Sequence, residues 1–222
     1  MRIILLGPPG AGKGSIAALI KENLKIDHIS TGDLLREEMK KDSDLGKEAK
    51  GYIAKGDLVP DDLVTKLIEK KLAHDHSVKL GYMLDGYPRT QQQAEDLDGI
   101  VTRLNEPLQY VFYLDASLNI VLSRLTGRRV CKNCGALFHM TNKKPLEEGV
   151  CDDCGGELYQ RSDDNEETIK TRMNVYRTST KPIVEYYENK GLLHRLDGDK
   201  STQEIKDDVM KIFHEDGLLD KD

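Results

Sequence analysis

The chain has 222 residues, 38% of them hydrophobic and 32% charged, with a formal net charge of −6. That length suits one domain with an insertion and a buried core, and the balance of apolar and charged residues excludes a disordered chain. The acidic balance argues against a dedicated nucleic-acid surface, and the early apolar run Ile3-Ile4-Leu5-Leu6 is too short for a signal peptide or a membrane span, so a cytosolic location with no membrane attachment is expected.

Residues 2–7, RIILLG, make a short apolar run ending in glycine, as a buried strand does. Ile16, Leu19, Ile20 and Leu24 then recur at helical spacing, which predicts strand, glycine-rich turn and helix in succession. A second short strand is expected at 27–30, leading into a helix that Ser30 and Asp33 open at capping-box spacing. Gly56 and Pro60 bracket a turn, and Pro60 followed by Asp61 and Asp62 starts a helix to about residue 75. YMLDG at 82–86, YVFYLD at 110–115 and LLHRL at 192–196 read as three more buried strands. Helical patterns cover 117–126 and 165–189, the second interrupted at Pro182, and a last amphipathic helix covers about 201–214. Five strands alternating with helices predict an α/β fold, a parallel sheet with helices on both faces.

The segment between Arg128 and about Gln160 breaks this rhythm and reads as an insertion with its own stabilising device. Cys131-x2-Cys134 and Cys151-x2-Cys154 hold all four cysteines, and the 16 residues between the pairs fit the template of a structural zinc site. Four thiolates close a tetrahedron around Zn²⁺ and leave no position for water, although iron or cobalt can occupy the same ligands. Gly135 and Gly155, just past each second cysteine, suit tight knuckle turns. His139 reads as a surface residue or a support to the ligands. A ribbon that grips nucleic acid is disfavoured by the acidic CDDCGGE and by a single ring, Phe138, apart from nearby Tyr159.

GPPGAGKGS, residues 7–15, is the most informative stretch. Gly7 and Gly12-Lys13 fit the P-loop spacing G-x-x-x-x-G-K. Such a loop turns its backbone N–H groups, from Gly10 through Ala11, Gly12, Lys13 and Gly14 to Ser15, towards phosphate oxygens. The following helix adds its positive end and Lys13 adds a point charge. The generic motif has Ser or Thr directly after the lysine. Here Gly14 intervenes, which puts direct magnesium ligation by the Ser15 hydroxyl in question.

Four more stretches accompany the loop: ISTGDLLRE (29–37), LDGYPRTQQQA (84–94), SRLTGRR (123–129) and QRSDDNEETIKTR (160–172). With them, the chain from Arg2 to about Phe213 resembles bacterial adenylate kinases, specifically the long form with a metal-binding lid. In that family a glycine follows the P-loop lysine, as Gly14 does, and Ser15 stands where threonine is usual. The resemblance implies a P-loop nucleoside triphosphate hydrolase-like core at 1–30, 61–127 and 161–222, a small helical AMP-binding insertion at 31–60 and a zinc-binding lid at 128–160. It implies reversible, Mg²⁺-dependent transfer of the ATP γ-phosphoryl group to AMP, giving two ADP in adenine nucleotide homeostasis, by a monomer.

The resemblance also implies roles. Thr31 would lie near the AMP base and Arg36 on its phosphate, with Asp57, Leu58 and Val59 closing over adenine and ribose. Gly86, Tyr87, Pro88, Arg89 and Gln93 would complete that site, Arg89 on the phosphate. Arg124, Arg128, Arg161 and Arg172 would converge on the transferring phosphates, the last two also beside AMP, while Asp163 and Asp164 lie near the lid hinge. Asp85 would help position hydrated Mg²⁺. Leu137, Phe138 and the backbone near Gly198–Lys200 would flank the ATP base. The residue chemistry agrees: an amide such as Gln93 donates and accepts at once, and arginine forks match phosphate oxygens. A transferring phosphoryl group spreads its charge over three oxygens, so aligned positive charge is needed rather than a protein nucleophile. Thr31 and Gln93 favour AMP over another nucleoside monophosphate. A P-loop protein that binds nucleic acid through a zinc ribbon would leave DGYPRT and the arginines unexplained.

Overall fold

Strand β1 (Arg2–Leu6) is the centre of the fold, and its side chains alternate between two apolar layers. Ile3 and Leu5 face the layer that also holds Ile16, Ile20, Val209 and Phe213, whereas Ile4 and Leu6 face the layer of Ile68, Leu97 and Tyr187. The structure, a computed structural model, describes residues 1–219. The main sheet takes β2 (Asp27–Ser30), β3 (Tyr82–Asp85), β1, β4 (Tyr110–Asp115) and β8 (Leu193–Asp197) in that order, all parallel. Helices α1 (Lys13–Leu24) and α9 (Thr202–Glu215) cover one face; α4 (Asp61–His74), α5 (Gln91–Arg103) and α8 (Ile183–Asn189) cover the other. The expected α/β fold is therefore present, and the five strands predicted are the five in the sheet. Among the described residues no helix is long and apolar enough to cross a membrane.

The helix starts follow local chemistry. Ser30 Oγ accepts from the Asp33 N–H at 3.3 Å and opens α2 (Thr31–Lys40), but the Asp33 carboxylate goes to arginines, so only half of the expected capping box serves the helix. Helix α3 (Asp44–Lys55), capped by Ser43, and helix α5, capped by Thr90, are additions to the elements expected. The helical pattern at 165–189 breaks earlier than expected. Helix α7 (Glu166–Val175) passes into a π turn at Tyr176–Thr180 before α8. Pro182 has no N–H to return to the preceding turn, and the Lys181 N–H reaches back five residues to the Tyr176 carbonyl at 2.8 Å.

Between α6 (Leu118–Thr126) and α7 lies a separate antiparallel sheet of β6 (Leu137–His139), β5 (Arg128–Cys131) and β7 (Leu158–Tyr159). It has a small core of its own, in which Phe138 and Leu158 pack with Cys131 and Cys151. Val121 and Leu125 of α6 pack on Ile169 and Met173 of α7, so both ends of this insertion leave from one clamped pair of helices.

Candidate active site

The strand order reverses direction at β1, with β3 on one side and β4 on the other, and the loop after β1 emerges there. Leu5 pairs with Asp85 and Leu6 with Tyr113, which sets the 7–12 loop beside the carboxyl ends of both neighbours. Gly7 has φ +142°, and a Cβ there would lie 2.6 Å from the Leu114 carbonyl oxygen, so the close approach of β4 requires glycine. The Lys13 ammonium, in the first turn of α1, donates to the carbonyls of Gly7 and Pro8 at 2.9 Å each. Burial pushes this ammonium down to about 8; Asp85 works against that shift, and the charges of Arg89, Arg172 and Arg128 add to it. Ala11 is buried, and Gly10, Gly12, Gly14 and Ser15 are half-buried along the same loop and turn.

Asp85 ends β3 next to this loop: a Cβ on Gly14 would lie 3.5 Å from its Oδ2 and 3.5 Å from Leu137 Cδ1. His28 Nε2 lies 3.4 Å from Asp85 Oδ2, at ion-pair distance but without the alignment of a good hydrogen bond. Burial alone would raise the Asp85 carboxyl; the His28 contact and the charges of Lys13 and Arg89 prevail and hold it below the usual carboxylate range. A carboxylate kept ionised beside the P-loop fits a hydrated magnesium ion.

Five arginines converge on this end of the sheet. Arg128 grips Asp164 through two parallel bonds, Nε to Oδ2 at 2.8 Å and Nη2 to Oδ1 at 2.5 Å. Arg172 Nη1 reaches Asp163 Oδ2 at 3.0 Å and Asp164 Oδ1 at 3.3 Å, and the Asp164 carboxylate has no exposed surface. Asp33 accepts from Arg36 at 2.7 Å and from Arg161 at 3.3 Å, joining α2 to the segment after β7. Arg89 is exposed on the turn after β3, with its Nε 2.8 Å from the Gly86 carbonyl and its charge crowded by Arg172 and Arg36. Desolvation first, and then like-charged neighbours, push the guanidinium groups of Arg89, Arg161 and Arg172 below the ordinary arginine value. Arg124 stands apart: it donates to the carbonyls of Ala11 (3.0 Å), Gly198 (2.7 Å) and Lys200 (2.9 Å), and so braces the loop after β1 against the loop after β8.

The remaining expected residues divide. Thr31 is buried with its Oγ1 unpartnered among the described residues, as is Arg161 Nε. Val59 is buried, Leu58 half-buried and Asp57 exposed on the turn before α4. Gln93 is 2% exposed; its Oε1 accepts from the Arg89 N–H at 2.8 Å and its Nε2 donates to Asp61 at 2.7 Å. Gly86 and the cis-linked Tyr87–Pro88 pair form the turn after β3, but the Tyr87 ring is fully buried in the core with its hydroxyl 3.0 Å from Thr65 Oγ1. Leu137 reaches the P-loop whereas Phe138 does not, because consecutive strand residues point to opposite faces and Phe138 enters the cysteine core. The Lys200 ammonium is drawn to Asp208 at 2.7 Å, which leaves its backbone facing Arg124.

The four cysteine sulfurs lie within 4.8 Å of one another, with Cys131–Cys154 at 3.5 Å and Cys134–Cys151 at 3.6 Å. Zinc–thiolate bonds of about 2.3 Å in a tetrahedron set sulfurs about 3.8 Å apart, so this cluster fits the ion. The N–H groups of Cys134 and Asn133 aim at the Cys131 sulfur and hold that thiol down, while burial and neighbouring sulfurs push the Cys134 and Cys151 thiols up, so the negative charge of the cluster concentrates on Cys131. Gly135 and Gly155 carry the two knuckle turns at φ +77° and +69°.

A parallel sheet whose reversal point feeds a glycine-rich loop, with one lysine and several arginines turned towards it, defines a P-loop protein of the phosphate-handling class. The family model for adenylate kinase matches residues 5–192. The chain is 47% identical to an adenylate kinase of Caldicellulosiruptor bescii over 211 residues, covering 95% of this chain and 98% of that protein. It is 48% identical to one of Methanocella arvoryzae over 209 residues, covering 94% and 96%. The chain belongs to the adenylate kinase family, and its chemistry is phosphoryl transfer to a nucleoside monophosphate.

Sequence reasoning missed several partners. His28 beside Asp85, Asp33 between two arginines, and Asp61 under Gln93 each work through a residue distant in the chain. Only the Asp33–Arg36 pair, three residues apart on a helix, had a local signal. Asp164 is the most buried of these carboxylates and neutralises two arginines. Asp164→Ala leaves both guanidinium groups without it and is expected to destabilise the protein by about 3–5 kcal/mol in equilibrium denaturation without nucleotide.

Proposed function

We propose that the chain transfers the γ-phosphoryl group of ATP to AMP, reversibly, to give two ADP, and so balances adenine nucleotides in the cytosol. The observation that carries this reading is the convergence of Lys13, Arg36, Arg89, Arg128, Arg161 and Arg172 on one end of the sheet, from both sides of the P-loop. One phosphate chain needs fewer cations; two nucleotides brought together need about this many. The AMP phosphate oxygen attacks the γ-phosphorus, a P–O bond forms, and the bond to the β-γ bridging oxygen breaks, leaving ADP on both sides. Alignment and preorganised positive charge supply the catalysis. Mg²⁺, positioned through Asp85, would neutralise charge on the ATP phosphates.

In this reading Thr31, Arg36, Val59, Arg89 and Gln93 receive AMP, within an AMP-binding insertion at 31–60, and the unpartnered Thr31 hydroxyl supports it. Residues 128–160 act as a lid over ATP; the approach of Leu137 to Gly14 supports this placement. Arg128 and Arg161 bound that lid, so closing it would carry both towards the phosphates and keep water, the smaller acceptor, from reacting first.

The test is incubation with Mg-ATP and each nucleoside monophosphate in turn. AMP should yield two ADP for each AMP consumed and exceed the other monophosphates. Diphosphate formed from another monophosphate but no ADP from AMP would reassign the substrate. Removing Zn²⁺ with a chelator under reducing conditions should lower the thermal midpoint and open 128–160 to protease, while transfer persists at low temperature. Unchanged stability would refute a fastening role for the metal.

A further inference from the structure

A glutamine amide can rotate by half a turn with almost no change of shape, exchanging its donor for its acceptor. The exchange matters for a purine. Adenine offers an amino donor at position 6 and an acceptor at N1; a 6-oxopurine offers an acceptor at position 6 and a donor at N1. A freely turning glutamine would therefore serve both bases.

Gln93 is not free to turn. Its Oε1 accepts from the backbone N–H of Arg89 at 2.8 Å, and its Nε2 donates to Asp61 Oδ1 at 2.7 Å. A backbone N–H cannot accept and a carboxylate cannot donate, so a half-turn would set N–H against N–H and oxygen against oxygen at a side chain only 2% exposed. Asp61 is itself held, because its Oδ2 accepts from Thr90 Oγ1 at 2.7 Å. Thr90 Oγ1 in turn accepts from the Gln93 N–H at 3.2 Å, which ties the start of α4 to the start of α5. These contacts use one N–H and one lone pair of the amide and leave one of each.

We propose that Asp61 is a specificity-determining positioning residue: together with the Arg89 backbone N–H it fixes the Gln93 amide in one orientation, and so makes the monophosphate site accept adenine and reject 6-oxopurines. This rests on the assignment of Gln93 to the acceptor base. Inosine monophosphate is the suitable probe, since it reverses the hydrogen-bonding edge without adding the 2-amino group of guanine. Asp61→Asn preserves shape but can either donate or accept, and Asp61→Ala removes the acceptor.

The kcat/KM ratio of AMP to inosine monophosphate is measured at saturating Mg-ATP for wild type and both variants, with the same ratio read as binding affinities by calorimetry. At least a tenfold fall in the ratio is expected, with inosine monophosphate improving in absolute terms and the KM for ATP unchanged. Should the Asn variant fail to fold, the Ala variant carries the comparison, and unfolding midpoints verify both. An unchanged ratio, or proportional losses on both monophosphates, overturns the assignment of Asp61. Absence of ADP formation from AMP by wild type would instead count against the proposed function, and the calorimetric ratio would still decide the role of Asp61.

Discussion

Positive charge crowded into protein is the constraint on which the rest of this structure depends. Lys13, Arg89, Arg161 and Arg172 are pushed away from their charged forms first by desolvation, and Arg89 and Arg161 next by one another's kind. Left alone, such a group would fly apart or stay solvated. Four carboxylates hold it together: Asp85 at the end of β3, Asp33 on α2, and Asp163 and Asp164 before α7. They are enough to assemble the cations and too few to cancel them. The surplus is what phosphate groups would satisfy, and this gives the site a preference for substrates that bring several negative charges.

The parallel sheet makes the crowding possible. Its carboxyl ends deliver the P-loop, Asp85, Thr31 and the loop after β8 to one edge, and Arg124 fastens the first of these to the last. The cysteine insertion contributes from outside the sheet. Arg128 and Arg161 stand at its borders and flank a metal-sized sulfur cluster. A segment with so small a core needs such a clasp if it is to move as a unit.

What was legible in the sequence is what is encoded locally. The P-loop is a run of glycines and one lysine, the knuckles are fixed cysteine spacings, and the sheet strands are short apolar runs. What was hidden is pairing between distant residues. Nothing near Arg124 says that backbone carbonyls of two loops will take its fork, and nothing near Asp61, which reads as an acidic helix start, says that it will orient Gln93. Leu137 and Phe138 looked equivalent until strand alternation separated them. The π turn ahead of Pro182 was hidden for a related reason: the missing N–H is visible in sequence, but where the helix absorbs it depends on packing.

Lys13 offers the most direct test, because its ammonium stands at about 8 rather than 10.5. Between those values the unfolded chain binds a proton that the folded chain does not. The buried charge therefore costs stability below pH 8, and the cost fades as pH rises towards 10.5. Triphosphate favours the charged form, so binding above pH 8 must take up a proton. Calorimetry of ATP binding from about pH 7 to 10 should show that uptake, with affinity falling by up to about tenfold per pH unit above 8. The Lys13→Met variant should show neither effect. Affinity that is flat over this range, with no proton taken up, would contradict a site built from cations held against their own burial.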